Sequence, residues 1–282
     1  MKCWIYLMNP FVFACITPHG SEILEALSDD ASLMARTRRS MNSLGHAMHQ
    51  SAPQVIVVLT PHGTRAEGQF AIANPERLRG TVEHHDHAVV MERLVDRDLA
   101  RDIAQTALAD EVPTALLNYA TSEGPLSCMP LDWGAIIPLA FMPEVPVVVI
   151  NPPRAFEFTP HLRFGASLAR AAAQCGKRVG LIASCDWSHT HAETGPYGFH
   201  EAAVKLDTQV VACIESGNFE ALAAFEPRLI EDAKPDGLWQ TLVLAGAIPP
   251  HVRRVEVLSY EVPTYFGMIC AAVHAPKPDV QP

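Results

Sequence analysis

The sequence predicts one three-layer α/β domain, a central mixed, mostly parallel sheet flanked by helices. Three observations carry this. Short apolar, β-branched runs recur at 12–16, 55–59, 145–150 and 179–184, the length of strands buried on both faces and too short for helices. Segments with helical spacing, 162–175 and 201–215 among them, alternate with these runs, as crossovers between parallel strands require. A hydrophobic content of 49% against 18% charged residues, over 282 positions, is enough for a large core. The domain is expected to fill residues 1–275, with a polar, proline-rich and flexible tail over 276–282.

Taken in order, the chain opens with Lys2 and an apolar stretch that has the outline of a secretion signal. Pro10 interrupts it and no small-residue cleavage site follows, so the expectation is a mature cytoplasmic protein. Seven cysteines, an odd number without any CxxC pair, suit a reducing compartment. No apolar span is long enough to cross a membrane. The formal net charge of -10 argues against a nucleic-acid partner.

The first strand, Val12–Ile16, ends at Thr17-Pro18-His19-Gly20, and the second, Val55–Leu59, ends at Thr60-Pro61-His62-Gly63. Proline stops each strand, and each histidine then stands at a carboxyl end, the rim where α/β sheets bind ligands. Two neutral imidazoles there could hold a divalent metal if a third ligand joined them. Between the strands, Ile23, Leu24, Leu27, Met34, Met41, Leu44 and Met48 predict one or two amphipathic helical pieces.

Residues 63–80 read as a loop, and Glu83-His84-His85-Asp86-His87 as the polar start of a helix whose apolar face is Val90, Leu94, Leu99, Ile103 and Ala107. Val112–Leu117 reads as a short strand. Asp132 and Trp133, in Leu131-Asp132-Trp133-Gly134, are candidates for a turn cap and for a pocket wall. Strand 145–150 and helix 162–175 follow, the helix closed by Gly176. Strand 179–184 leads into Cys185-Asp186-Trp187-Ser188-His189-Thr190-His191, a third histidine-bearing strand end, and then into Gly195-Pro196-Tyr197-Gly198-Phe199-His200. Helices at 201–215 and 219–231, a strand at 255–258 continuing into Tyr260-Glu261-Val262-Pro263, and an apolar run at 268–273 complete the chain. Dinucleotide-binding GxGxxG, phosphate-binding GxxxxGK[ST] and nucleophile-elbow GxSxG patterns are all missing.

Four of these motifs, in this order, resemble the class III extradiol dioxygenases of the LigB-like superfamily, the family that contains the catalytic B subunit of protocatechuate 4,5-dioxygenase. The resemblance covers nearly the whole chain. It implies metal ligation by His19, His62 and Glu261, and an acid-base role for His189 in Asp186-Trp187-Ser188-His189. Many members carry a histidine where this chain has Trp133, which places a larger ring with a single donor in the substrate pocket. His191 is the rival for acid-base work, because in an extended segment it would point to the same side as His189. Tyr197 and His200 are further pocket candidates.

The resemblance further implies Fe(II) as cofactor, with Mn(II) or Zn(II) as alternatives in the isolated protein. The implied partners are a small aromatic diol or aminophenol and O₂. A homodimer or higher oligomer is expected, with a small partner subunit as in some relatives. Arg65 and Arg154, close after strand ends, could pair with a substrate carboxylate. Two other readings use the same residues: a non-enzymatic binding protein of the superfamily, and a zinc-dependent hydrolase.

Overall fold

Burial on both faces decides which apolar runs become the central strands. In this computed structural model, which describes residues 9–155 and 157–274, every residue of the run Val55–Leu59 is buried. The expected tail lies outside the described residues. The chain runs β1 (Phe11–Thr17), α1 (Ala35–Gln50), β2 (Val55–Leu59), β3 (Phe70–Ala73), β4 (Arg77–His84), β5 (His87–Leu94), α2 (Arg97–Ala109), β6 (Thr114–Leu117) and β7 (Cys128–Pro130). It continues through α3 (Trp133–Leu139), β8 (Val147–Asn151), α4 (Thr159–Gln174), β9 (Val179–Ser184), α5 (Ala202–Glu215), α6 (Pro227–Ala233), α7 (Leu238–Ala247), β10 (Arg254–Glu261) and β11 (Met268–His274).

Eight strands form one sheet in the order β10-β11-β1-β9-β2-β8-β3-β6. The centre, β1-β9-β2-β8, is parallel, and β10, β11 and the β3–β8 pairing introduce the antiparallel contacts of a mixed sheet. Period-two alternation sorts side chains into two cores. Val55, Val57 and Leu59 pack with Phe164, Leu168 and Leu242 on one side. Ile56 and Val58 pack with Met41, Leu44, Met48 and Ile136 on the other. The methionine stripe of α1 is therefore core filling. Among the described residues, no helix is long and apolar enough to cross a membrane.

The registers set the position of the functional rim. Thr17 lies opposite Ser184, and Leu59 opposite Ala183, so β1, β9 and β2 finish level with one another. Their next residues, carrying His19, Asp186 and His62, emerge side by side.

Two expectations are corrected. The loop over 63–80 contains β3 and the start of β4, and the helix expected from Glu83 begins only at Arg97. Residues 77–94 instead form a hairpin that joins β7 in a second, three-stranded sheet. Leu78, Val82 and Met91 are its buried residues, and Leu78 and Val82 are four apart, a spacing that a strand face and a helix face share. The intervening Gly80 leaves the period-two pattern faint. The helix expected over 219–231 is divided, a 3₁₀ segment over 219–224 and then α6, which starts at Pro227.

Candidate metal centre

His19 Nε2, His62 Nε2 and Asp236 Oδ2 face one point. The two nitrogens are 3.1 Å apart, and each is 3.3 Å from the aspartate oxygen. Ligands bound at about 2.1 Å stand about 3.0 Å apart at adjacent octahedral positions and about 3.4 Å apart in a tetrahedron. The observed triangle falls between these values, so the donor set fits a divalent ion without rearrangement.

Hydrogen bonding fixes the tautomer of His19. Ser184 Oγ donates to the carbonyl of Gly134 at 2.5 Å, so toward the imidazole it can only accept. His19 Nδ1–H therefore donates to Ser184 Oγ at 2.9 Å, and the lone pair of Nε2 is left aimed at the centre. Asp186 Oδ2 also lies 3.3 Å from this nitrogen. A lone pair among two carboxylate oxygens and a second imidazole is stable only with a cation between them. Without a metal a proton takes that place: burial opposes it, but the charges of Asp186 and Asp236 raise the His19 pKa to about 9. Burial would also lift Asp236, yet His19 and the hydrogen bonds from both imidazoles hold it well below the usual carboxylate range. Asp186 goes the other way, raised by burial and by the like charge of Asp236.

Asp236 was not among the residues singled out from sequence. It lies in the turn Lys234-Pro235-Asp236-Gly237 between α6 and α7, and Pro-Asp-Gly is itself a turn signal that could have drawn attention. The turn is tied to the end of β9, since Asp186 N–H donates to Asp236 Oδ1 at 2.9 Å and Gly237 N–H to the Asp186 carbonyl at 2.9 Å. A Cβ on Gly237 would stand 2.4 Å from Cys185 Cβ, so only glycine permits this approach.

His62 is placed by the start of α3. Asp132 caps that helix, accepting from Ala135 N–H, and accepts from Thr60 Oγ at 2.7 Å as well. A Cβ on Gly134 would meet Thr60 Oγ at 2.6 Å and the His62 ring at 3.2 Å. Trp133 then stacks on His62 with ring centroids 4.0 Å apart and planes at 28°. The tryptophan is 48% exposed, so it walls the site from outside.

His189 sits beside the triad. Its Nδ1–H donates to the Lys234 carbonyl at 2.8 Å, which leaves Nε2 as the acceptor, 4.0 Å from Asp236 Oδ2. Its ring stacks on Phe266 at 5.5 Å and meets Tyr197 edge-on at 6.3 Å. His191 does not share this position. Its Nε2 is 2.8 Å from Asp207 Oδ2, in a buried network where Asp207 also accepts from Ser188 N–H, Ser188 Oγ and Tyr260 Oη. That carboxylate turns the imidazole away from His189, and a structural role follows. His200 opens the turn before α5, its Nδ1 accepting from Ala202 N–H and its Nε2 3.9 Å from Asp232, outside the lining of the cavities at the centre.

Glu261, the third ligand expected from the resemblance, is a correction. Its Oε1 accepts from Thr37 N–H at 2.9 Å and from Thr37 Oγ at 2.5 Å. Helix α1 has no side-chain cap of its own, so this carboxylate serves its first turn from another strand and faces the positive end of the helix dipole. Asp236 occupies the place at the centre that Glu261 was expected to fill.

Comparison with known proteins adds the family. The model described as the catalytic LigB subunit of aromatic ring-opening dioxygenase matches residues 13–270. The chain belongs to this family. Protein CA_C1420 of Clostridium acetobutylicum is 26% identical over 252 residues, which cover 87% of this chain and 54% of that protein. The chain thus spans about half the length of that curated relative. The crystal structure of uncharacterized protein JW3007 from Escherichia coli K12 shares the fold, with a TM-score of 0.61, 16% identity, and coverage of 92% of this chain and 98% of that one.

In this LigB-family chain two cavities meet at the centre. One, of about 650 Å³, is lined by His19, His62, Asp186, Tyr265 and Phe266. The other, of about 480 Å³, is lined by Asp236, Arg65, Arg154, Lys234 and Trp239. His62, Trp133, His189 and Tyr197 belong to both. Trp133 and Tyr197 give this junction aromatic walls beside the candidate ligands.

Proposed function

We propose that this chain is a non-haem, Fe(II)-dependent extradiol dioxygenase that opens the ring of a catechol-type substrate beside its vicinal diol. The observation that carries this reading is the facial set of His19, His62 and Asp236 with the Nε2 of His189 alongside, all at one end of the central strands. Two imidazoles and one carboxylate are the donor set of non-haem iron sites with open positions. Fe(II) held by His19, His62 and Asp236 would supply open coordination positions and the one-electron chemistry that activates O₂ toward a diol.

The remaining work falls to the protein. The hydrogen bond from His189 Nδ1 to the Lys234 carbonyl keeps Nε2 free to accept the proton of a substrate hydroxyl and later to return it. An imidazole suits both directions, because one ring nitrogen can take and return a proton while the other keeps its hydrogen bond. Trp133 and Tyr197 provide stacking faces. Arg65 and Arg154, neither within ion-pair distance of a carboxylate among the described residues, would hold an anionic substituent on the ring.

The test is oxygen consumption by Fe(II)-loaded protein with catechol, protocatechuate, a catechol bearing an acidic side chain, and 2-aminophenol. Uptake with a yellow ring-opened product is expected for at least one diol. Formation of a muconate would mean cleavage between the hydroxyls and would refute the extradiol assignment. No uptake with any of them would shift the reading to a binding protein or a zinc hydrolase on the same residues.

A further inference from the structure

A second group of metal-ligating side chains lies apart from the centre and shares no residue with it. The β4–β5 hairpin closes through the two-residue loop His85-Asp86, flanked by the pair His84–His87. His85 has a φ of +48°, a conformation that glycine and asparagine adopt far more easily at a tight hairpin loop. Its imidazole is aimed at Asp29, with Nδ1 2.6 Å from Oδ2, and His84 Nε2 is 3.7 Å from the same oxygen. The two rings lie 4.3 Å apart and tilted by 45°. One ligand atom from each of the three residues falls within 4.8 Å of the others.

Asp29 is held from a separate part of the chain. The neighbouring Asp30 fixes that turn, its Oδ1 accepting from Ser32 N–H and Ser32 Oγ, and its carbonyl accepting from Ser28 Oγ. Two imidazoles and one carboxylate suit a borderline transition metal and not magnesium or calcium, which prefer oxygen ligands throughout. Bringing the three atoms to the spacing of about 3.4 Å around a tetrahedral ion requires only adjustments of partly exposed side chains.

We propose that Asp29, His84 and His85 form a second divalent-metal site, of the zinc class, at the tip of the β4–β5 hairpin. His84 also lines the larger cavity that His19 and His62 face, so the ion sits at the rim of that cavity. The site does not depend on the chemistry proposed for the centre.

The experiment uses the full chain, stripped with a chelator, dialysed against micromolar Zn(II) and assayed for bound metal. Wild type is expected to hold two ions. Asp29→Ala and His85→Ala should each hold one, with the second ion's dissociation constant raised at least tenfold, while His62→Ala should lose the central ion and keep the rim ion. Co(II) loaded into His62→Ala should give a tetrahedral visible spectrum that disappears when His85→Ala is added. The three side chains lie at the surface and thermal unfolding of the metal-free variants should match wild type. His84→Gln, which keeps a polar side chain on the hairpin, provides an independent variant expected to lose the same ion. A wild-type stoichiometry of one with that ion lost in His62→Ala, or a second ion that survives both Asp29→Ala and His85→Ala, overturns the proposal. Either result leaves the reading of the His19–His62–Asp236 centre standing.

Discussion

Replacing Glu261 and Asp236 in parallel separates a helix cap from a metal ligand. Glu261→Ala deletes two charge-assisted hydrogen bonds at the first turn of α1, from Thr37 N–H and Thr37 Oγ. Such bonds are worth about 1.5–3 kcal/mol each when no other group replaces them. Glu261 is half-buried, so water recovers part of this, and the net loss should lie near the upper end of N-cap deletions, about 2 kcal/mol. For a chain of this size that lowers Tm by about 4–8 °C. Glu261→Gln keeps an acceptor and loses only the charge against the helix dipole, about 0.3–1 kcal/mol. Neither variant should lose the central metal. Asp236→Ala should lose it, because the carboxylate oxygen that faces both imidazoles at 3.3 Å is removed. The assay is differential scanning calorimetry of the metal-free proteins beside metal analysis after loading at the same free-ion concentration. If Glu261→Ala stays folded at the assay temperature and loses the central ion, or if Asp236→Ala retains it at wild-type affinity, the assignment is refuted.

Other expectations follow from the same geometry. His189→Ala should bind metal normally and lower turnover by about 10² to 10⁴, the usual cost of an acid-base group; an unchanged rate with any accepted diol would remove His189 from the mechanism. His19, raised to about 9 in the metal-free protein, is protonated at pH 8, so metal loading at that pH should release about one proton, measurable by titration in weak buffer. The sign for stability follows from the same shift. A pKa raised from 6.5 to about 9 stabilises the metal-free fold fully below 6.5, and that contribution is lost as pH rises through 9, so Tm should fall over this interval in metal-free but not in metal-loaded protein. Trp133→Ala removes the ring stacked on His62 and should cost about 0.5–1.5 kcal/mol of stability and raise KM while metal stays bound, as unfolding and kinetic assays would show.

Much of this architecture was legible in the sequence, for identifiable reasons. Strands buried on both faces write themselves as uninterrupted apolar runs, so β1, β2, β8 and β9 stand out, and a proline-histidine pair at the end of two of them marks the rim. The hairpin at 77–94 was harder. One face is wet, Gly80 interrupts the alternation, and the apolar positions that remain also fit a helix. Asp236 was hidden for another reason. Its partners His19 and His62 are over 170 residues away, and nothing local distinguishes a ligand in a Pro-Asp-Gly turn from a turn residue. His191 shows the reverse case, since local spacing placed it with His189, whereas Asp207 on α5 captures its ring. Contacts between distant segments decide such side chains, and a pattern of spacing does not contain them.

The central claim, that the ion is held by His19, His62 and Asp236, is tested most directly by anomalous diffraction from crystals of the metal-loaded chain. A peak about 2.0–2.2 Å from His19 Nε2, His62 Nε2 and an Asp236 carboxylate oxygen is predicted. A peak coordinated by Glu261, or one that excludes Asp236, would contradict the account.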